Sequence, residues 1–188
     1  MKPTLLVGDY LFTSKYAYGY SKHSLPFSPP LFGGRVLEDL PQRGDVVVFK
    51  LPSDGRTDYI KRVVGLPGDR IQMRGGVLHI DGEAVEVEPA GVFLDDAASF
   101  CRDRRRIDDE IFCALERFEE TLPNGATHTI LNTADSMMFD DTPVFTVPEG
   151  HYFFMGDNRD TSRDSREPRA AGGVGFVPFE NLVGRAEI

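Results

Sequence analysis

A mainly β protein is what this chain predicts, and three observations carry the prediction. Its apolar runs are short and rich in Val, Ile, Phe, Tyr and Thr, the residues that fit a pleated, half-buried surface. Gly, Pro, Asp or Asn bounds each run, and 19 Gly and 13 Pro break the chain too often for long helices. No internal repeat and no low-complexity linker interrupts the pattern.

The elements follow in order. Residues 46–49, Val-Val-Val-Phe, form a continuous apolar run after Gly44-Asp45 and read as a buried strand. In residues 59–64 a period of two puts Tyr59, Lys61 and Val63 on one face and Ile60, Arg62 and Val64 on the other. Adjacent Lys61 and Arg62 therefore occupy different environments. Residues 77–80 and 84–87 flank Asp81-Gly82, a dipeptide that fits a two-residue type I′ hairpin turn. Pro123-Asn124-Gly125 separates 114–122 from 127–131 and predicts a longer hairpin. Ile107, Ile111, Ala114, Leu115 and Phe118 also fit a helical face, so 108–113 is open to a helical turn while 114–122 is read as a strand. Residues 144–147 and 152–155 complete the set, and the second delivers the polar run 156–166.

Composition narrows the function. A length of 188 residues suits one domain with a proper core, or a core plus a smaller inserted lobe. The net charge of −9 argues against nucleic acid, which is bound chiefly through Lys and Arg. The one dense basic cluster, Arg102, Arg104, Arg105 and Arg106, is surrounded by Asp103, Asp108, Asp109 and Glu110 and reads as a solvated loop. No stretch approaches the roughly 18 apolar residues of a membrane-spanning helix, and Met1 to Gly8 does not read as a signal peptide. The chain alone is expected to be soluble. His23, His79, His128 and His151 are scattered without ligand spacing, so neither metal nor cofactor is expected. Cys101 and Cys113 are the only cysteines; a disulfide, which would contribute about 3 kcal/mol, and two separate thiols are both open.

Four segments carry the chemistry. Residues 156–166 read Gly-Asp-Asn-Arg-Asp-Thr-Ser-Arg-Asp-Ser-Arg, a charged, hydrogen-bonding loop held by an apolar strand. Arg43-Gly44-Asp45-Val46-Val47-Val48-Phe49-Lys50, then Asp58-Tyr59-Ile60-Lys61-Arg62-Val63-Val64-Gly65-Leu66-Pro67-Gly68-Asp69, and Pro3-Thr4-Leu5-Leu6-Val7-Gly8-Asp9 at the start precede it. In this order the segments resemble the type I signal peptidases, membrane-bound serine proteases with a Ser/Lys dyad. The resemblance covers both ends of the chain and is weakest between about residues 85 and 120.

That resemblance implies an antiparallel β core, a partly open barrel, interrupted by a smaller variable β lobe. The core is expected at 1–82 plus 143–188 and the lobe at 83–142, with the family's N-terminal membrane anchor absent from this chain. On sequence alone Lys61 reads as an ordinary surface or snorkelling lysine; the resemblance makes it the general base, since a lysine neutral near working pH can take a proton. Ser162 falls where the family's serine orients that lysine. Asp157, Arg159, Asp160, Asp164 and Arg166 are expected to support the site, and Thr161 departs from the Asn common in relatives. The family's nucleophilic serine would immediately precede Met1, so the chain as given is expected to be inactive.

The implied activity is endoproteolysis of secretory preproteins after small A-x-A residues, with the signal peptide bound as an extended strand. The implied location is the bacterial inner membrane, with the catalytic domain on its outer side. Tyr10 to Phe12, Tyr16, Tyr18, Tyr20, Phe27, Leu31 and Phe32 are then either core or a patch meeting the membrane surface. Two alternatives remain: a related Ser/Lys processing peptidase of the pilin-maturation type, and a non-catalytic signal-peptide-binding β module.

Overall fold

The computed structural model describes residues 1–21, 35–96, 101–134 and 137–187. Strands dominate. In chain order they are β1 (Phe12–Ser14), β2 (Val46–Lys50), β3 (Asp58–Gly65), β4 (Arg70–Arg74), β5 (Val77–Ile80), β6 (Glu83–Ala84), β7 (Glu86–Asp95), β8 (Arg104–Ile107), β9 (Glu110–Thr121), β10 (Thr127–Asn132), β11 (Phe145–Thr146), β12 (His151–Met155), β13 (Val177–Pro178) and β14 (Leu182–Glu187). Short 3₁₀ turns at Arg169–Ala171 and Phe179–Asn181 are the helical elements named among the described residues.

The chain divides into two compact units. One comprises Met1–Val7, Arg70–Phe145 and Gly156–Ser162; the other comprises Gly8–Asp69, Thr146–Met155 and Arg163–Ile188. In the second unit six strands form one sheet in the order β1-β14-β2-β3-β12-β13, with each neighbouring pair antiparallel. Its core gathers Tyr18, Val47, Phe49, Val63, Tyr152, Phe154, Val174, Val177 and Leu182. Burying such side chains is worth roughly 1.5–3 kcal/mol each before the entropy of ordering is subtracted. In the first unit β9 lies between β10 and β7 and also pairs with β8, and a second sheet runs β11-β4-β5-β6.

Turn chemistry explains the hairpins. Asp81 and Gly82 have φ of 55° and 89°, the two positive values a type I′ turn requires, and Ile80 pairs with Glu83 across it. After Pro123-Asn124, Gly125 takes φ of 81°, and Leu122 donates its amide to the Ala126 carbonyl to close the β9–β10 hairpin.

Several expectations change. The alternative of a helical turn at 108–113 fails, because Asp108 and Asp109 adopt φ of 47° and 66° and make the β8–β9 turn, which short polar side chains tolerate. Arg104 to Arg106 are exposed as expected, but they lie on strand β8 rather than in a loop. Residues 84–87 are split at Val85, which is buried and donates to the Leu78 carbonyl between β6 and β7. Strands β1, β4, β8, β13 and β14 were not anticipated, although β4 carries a readable alternation with Ile71 and Met73 buried.

Cys101 and Cys113 form a disulfide with Cα atoms 5.5 Å apart, which settles the choice between bridge and free thiols. It ties the segment before β8 to β9, beside buried Leu115 and Leu131. Replacing both cysteines by serine is expected to lower stability by about 2–3 kcal/mol, read as a lower urea midpoint with unchanged m-value; no change in midpoint would contradict this.

Candidate active site

The loop 156–166 starts where β12 ends and passes from one unit to the other after Ser162. In the first unit its backbone lies against the end of β10. Leu131 donates its amide to the Asp157 carbonyl at 2.8 Å and Arg159 donates to the Leu131 carbonyl at 3.0 Å, a short parallel bridge of Leu131 with Asn158. Asp160 continues the docking by accepting from the backbone N–H groups of Thr133 at 2.5 Å and Ala134 at 3.0 Å. The Asn158 side-chain oxygen accepts from the Thr161 amide and turns the chain away.

Buried charge fastens this docking. The Arg159 guanidinium forks onto Glu120 of β9, Nη1 to Oε2 at 2.8 Å and Nη2 to Oε1 at 2.5 Å. The His128 ring of β10, directly across the ladder from Glu120, brings Nε2 to 3.3 Å from Oε1. Glu120 is fully buried. Burial by itself would raise its pKa, but the Arg159 charge and the His128 and Arg159 contacts outweigh it and hold the carboxyl at about 2.

The N-terminal motif is anchored in the same unit. The Thr4 hydroxyl donates to the carboxylate of Asp157, which is 1% exposed, while Lys2 pairs with Asp95 of β7 at 2.5 Å. Leu5 donates its amide to the Met1 carbonyl at 3.0 Å, so residues 1–5 form a turn. Ser162 ends this part of the loop with a buried hydroxyl that has no hydrogen-bond partner among the described residues.

In the second unit Lys61 sits on β3 opposite Val47 of β2. The alternation read from sequence holds: Val63, Val47 and Phe49 on that face are fully buried in the core, with Tyr59 packed against it. The Lys61 ammonium nitrogen lies 6.0 Å from the centre of the Tyr59 ring. Its neighbour Arg62 faces the other way, is buried, and donates to the Gly44 carbonyl at 2.8 Å. Arg43 bridges the Val64 carbonyl at 2.6 Å and the Asp69 carboxylate at 2.7 Å, stapling the turn that follows β3. Asp164 and Arg166 form a buried two-pronged pair at 2.9 and 2.8 Å, and Ser165 exchanges two hydrogen bonds with the Phe154 backbone. Lys61 thus belongs to the second unit and Ser162 to the first.

Residues 1–188 match the signal peptidase family, peptidase S26. The chain belongs to that family. The signal peptidase I of Rickettsia typhi (strain ATCC VR-144 / Wilmington) is 43% identical over 196 residues, covering 100% of this chain and 67% of the relative. That of Rickettsia canadensis (strain McKiel) is 42% identical over 195 residues, covering 100% and 66%. The chain spans about two thirds of the length of these relatives. A crystal structure of a signal peptidase I from Enterococcus faecalis V583 is 26% identical and covers 78% of this chain and 97% of that one, with a TM-score of 0.40. Signal peptidase I is a serine endopeptidase, so this S26 chain is classed with the hydrolases, and these matches favour neither the pilin-maturation nor the non-catalytic alternative. Signal peptidase I is membrane-associated; among the described residues no helix is long and apolar enough to cross a membrane.

Three residues of this network escaped the sequence reading: Thr4 and Glu120, whose partners Asp157 and Arg159 are 153 and 39 positions away, and His128, which faces Glu120 across the β9–β10 ladder. One signal did point to Glu120: it is a charged residue in the apolar series Phe118, Glu120, Leu122, where period two demands burial.

The depressed pKa of Glu120 has a definite sign. Its contribution to stability is complete above its unfolded value of 4.5 and is lost as pH falls toward about 2. Acid titration of unfolding free energy is expected to show this loss between pH 4.5 and 2, and Glu120→Gln should flatten that part of the curve; an identical slope in the variant would contradict it.

Proposed function

We propose that this chain carries the catalytic part of a type I signal peptidase, an endopeptidase that removes signal peptides from secretory preproteins after small A-x-A residues. The observation that carries the reading is a single lysine, Lys61, on the apolar face of β3 within the Asp58-Tyr59-Ile60-Lys61-Arg62 motif. An apolar face disfavours the ammonium form, and a neutral amine is a base. The family's motif, matched here on Pro3-Thr4-Leu5, carries its nucleophilic serine immediately before the Met of the motif.

The chemistry follows from these roles. Lys61 Nζ takes the proton of the serine hydroxyl as its oxygen attacks the scissile carbonyl carbon, and the same proton passes to the leaving amine when the C–N bond breaks. Water, deprotonated by the same amine, then releases the acyl group and restores the serine. Ser162 falls at the position of the family's serine that orients the lysine, and a hydroxyl accepts from an ammonium as readily as it donates to an amine. Asp157, Arg159 and Asp160 hold its loop in the first unit, and Asp164 and Arg166 hold the continuation in the second.

The membrane surface is the second partner, and the proposed location is the outer side of the bacterial inner membrane. Tyr10, Phe12, Tyr16 and Tyr20 are exposed, with Tyr16 and Tyr20 rings 6.3 Å apart and Tyr20 bridged to exposed Val36, whereas Tyr18 is buried and bonds Asp45. Aromatic rings of this kind sit well at a lipid interface. Phe27, Leu31 and Phe32 lie outside the described residues.

Two measurements check the reading. With a serine placed ahead of Met1, the protein is expected to cleave a precursor peptide carrying an A-x-A site. Lys61→Ala should then abolish cleavage, by at least about 10³-fold, and Ser162→Ala should lower kcat by about 10²-fold or more; full activity of Lys61→Ala would overturn the assignment. In vesicle cosedimentation, Tyr16→Ser/Tyr20→Ser should bind anionic lipid more weakly than the parent, and equal binding would remove the membrane patch.

A further inference from the structure

The Glu120–Arg159 fork joins the variable middle of the chain to the loop on which the proposed site depends. Arg159 lines a pocket of about 150 Å³ with Val77, Val87, Phe118, Ile130 and Asp160. Open space on that side means that packing alone does not fix the guanidinium. The two-pronged bond to Glu120 does, and this geometry matches the planar fork of an arginine to both carboxylate oxygens. His128 stands behind Glu120 across the β9–β10 ladder, so the carboxylate meets Arg159 on one side and an imidazole on the other.

From Arg159 the constraint runs along the backbone. Arg159 and Asp157 are the two residues whose main-chain groups grip Leu131, one through its amide and the other through its carbonyl. Asp157 in turn receives the Thr4 hydroxyl, and Thr4 lies in the motif segment Met1–Val7 of the same unit. A continuous series therefore links β9 to the segment adjoining the proposed nucleophile position: Glu120, Arg159, Asn158, Asp157, Thr4.

We infer that Glu120, backed by His128, is a positioning residue of the peptidase: it fixes Arg159 and through it the placement of Asp157 and of the N-terminal motif segment. This inference rests on the signal-peptidase reading for its catalytic consequence. The mechanism is charge compensation. A buried guanidinium without its carboxylate is strongly unfavourable and withdraws toward solvent, pulling residues 157–159 off β10. Displacement of reacting groups by about 1 Å suffices to cost about 10²-fold in rate. Loss of Glu120 thus acts on kcat, because it alters the placement of chemical groups.

The test uses the protein with a serine ahead of Met1, and variants Glu120→Gln, Glu120→Asp and His128→Gln. Glu120→Gln is expected to lower kcat by about 10-fold to 10²-fold with KM within about twofold. The amides of Leu131 and Arg159 should exchange hydrogen faster than those elsewhere in β9 and β10. Glu120→Asp keeps the charge but shortens the reach by one methylene, so it remains informative if Glu120→Gln does not fold; it should show the same pattern to a smaller extent. His128→Gln retains a donor toward Glu120 and should lower kcat in the same direction as Glu120→Gln but less. A merely structural role predicts a lower melting temperature with parental kcat and parental exchange at Leu131 and Arg159 in Glu120→Asp, and that result would overturn the inference while leaving the peptidase reading intact. Absence of cleavage by the parent itself would sink the peptidase reading and the catalytic half of this inference together. The exchange measurement judges the link from Glu120 to the loop in either case.

Discussion

Arg159 reaching across to Glu120 is the contact on which the loop 156–162 depends. A loop with this many charged residues would ordinarily stay in solvent, since each ion withdrawn from water must be compensated. Here Asp157 and Arg159 are both buried, at 1% and 5% exposure. Glu120 compensates Arg159, Thr4 bonds Asp157, and the Thr133 and Ala134 amides occupy Asp160. A polar network satisfied in this way costs little as long as it is complete and a great deal when one member is removed. Its effect is to select one position for the loop.

The second unit meets a different constraint. The continuous apolar strand β2 pairs with β3 through Val47 and Lys61, so the register of that ladder alone decides that a lysine looks toward the core and an arginine away from it. A slip of one residue would exchange them. Arg43 and Asp69 hold the end of β3 against such a slip by bracing the Gly65-Leu66-Pro67-Gly68 turn from the side. The residues that form the family's motif around Lys61 thus have separate physical jobs: one presents the amine, the others keep its strand in register.

Supporting residues occur in both units for a related reason. In the second unit Asp164 and Arg166 satisfy each other two residues apart, each 1% exposed at the side chain, and Ser165 between them ties the backbone to Phe154 of β12. The part in the first unit instead borrows partners from β9, from the segment after β10 and from the N-terminal turn, so its placement reports on all three.

Much of this protein was legible from its residues. Short apolar runs and turn dipeptides located the β2–β3 strands, the Asp81-Gly82 hairpin and the β9–β10 hairpin, because period-two alternation and positive φ are decided by neighbouring residues. The motif segments pointed to Lys61 and to the loop 156–166. What sequence did not determine is which charges meet. Glu120 and Arg159 are 39 residues apart, and Thr4 and Asp157 are 153 apart; the bridge between Cys101 and Cys113 likewise waited on the approach of their Cα atoms. Such pairings are set by strand register and by the path of a loop across a sheet, neither of which any local pattern encodes. Local chemistry determined most of the strands and the turns, the family resemblance named the candidate base, and only the tertiary structure decided which buried partner holds each buried charge, since compensation in a dry interior depends on distance in space.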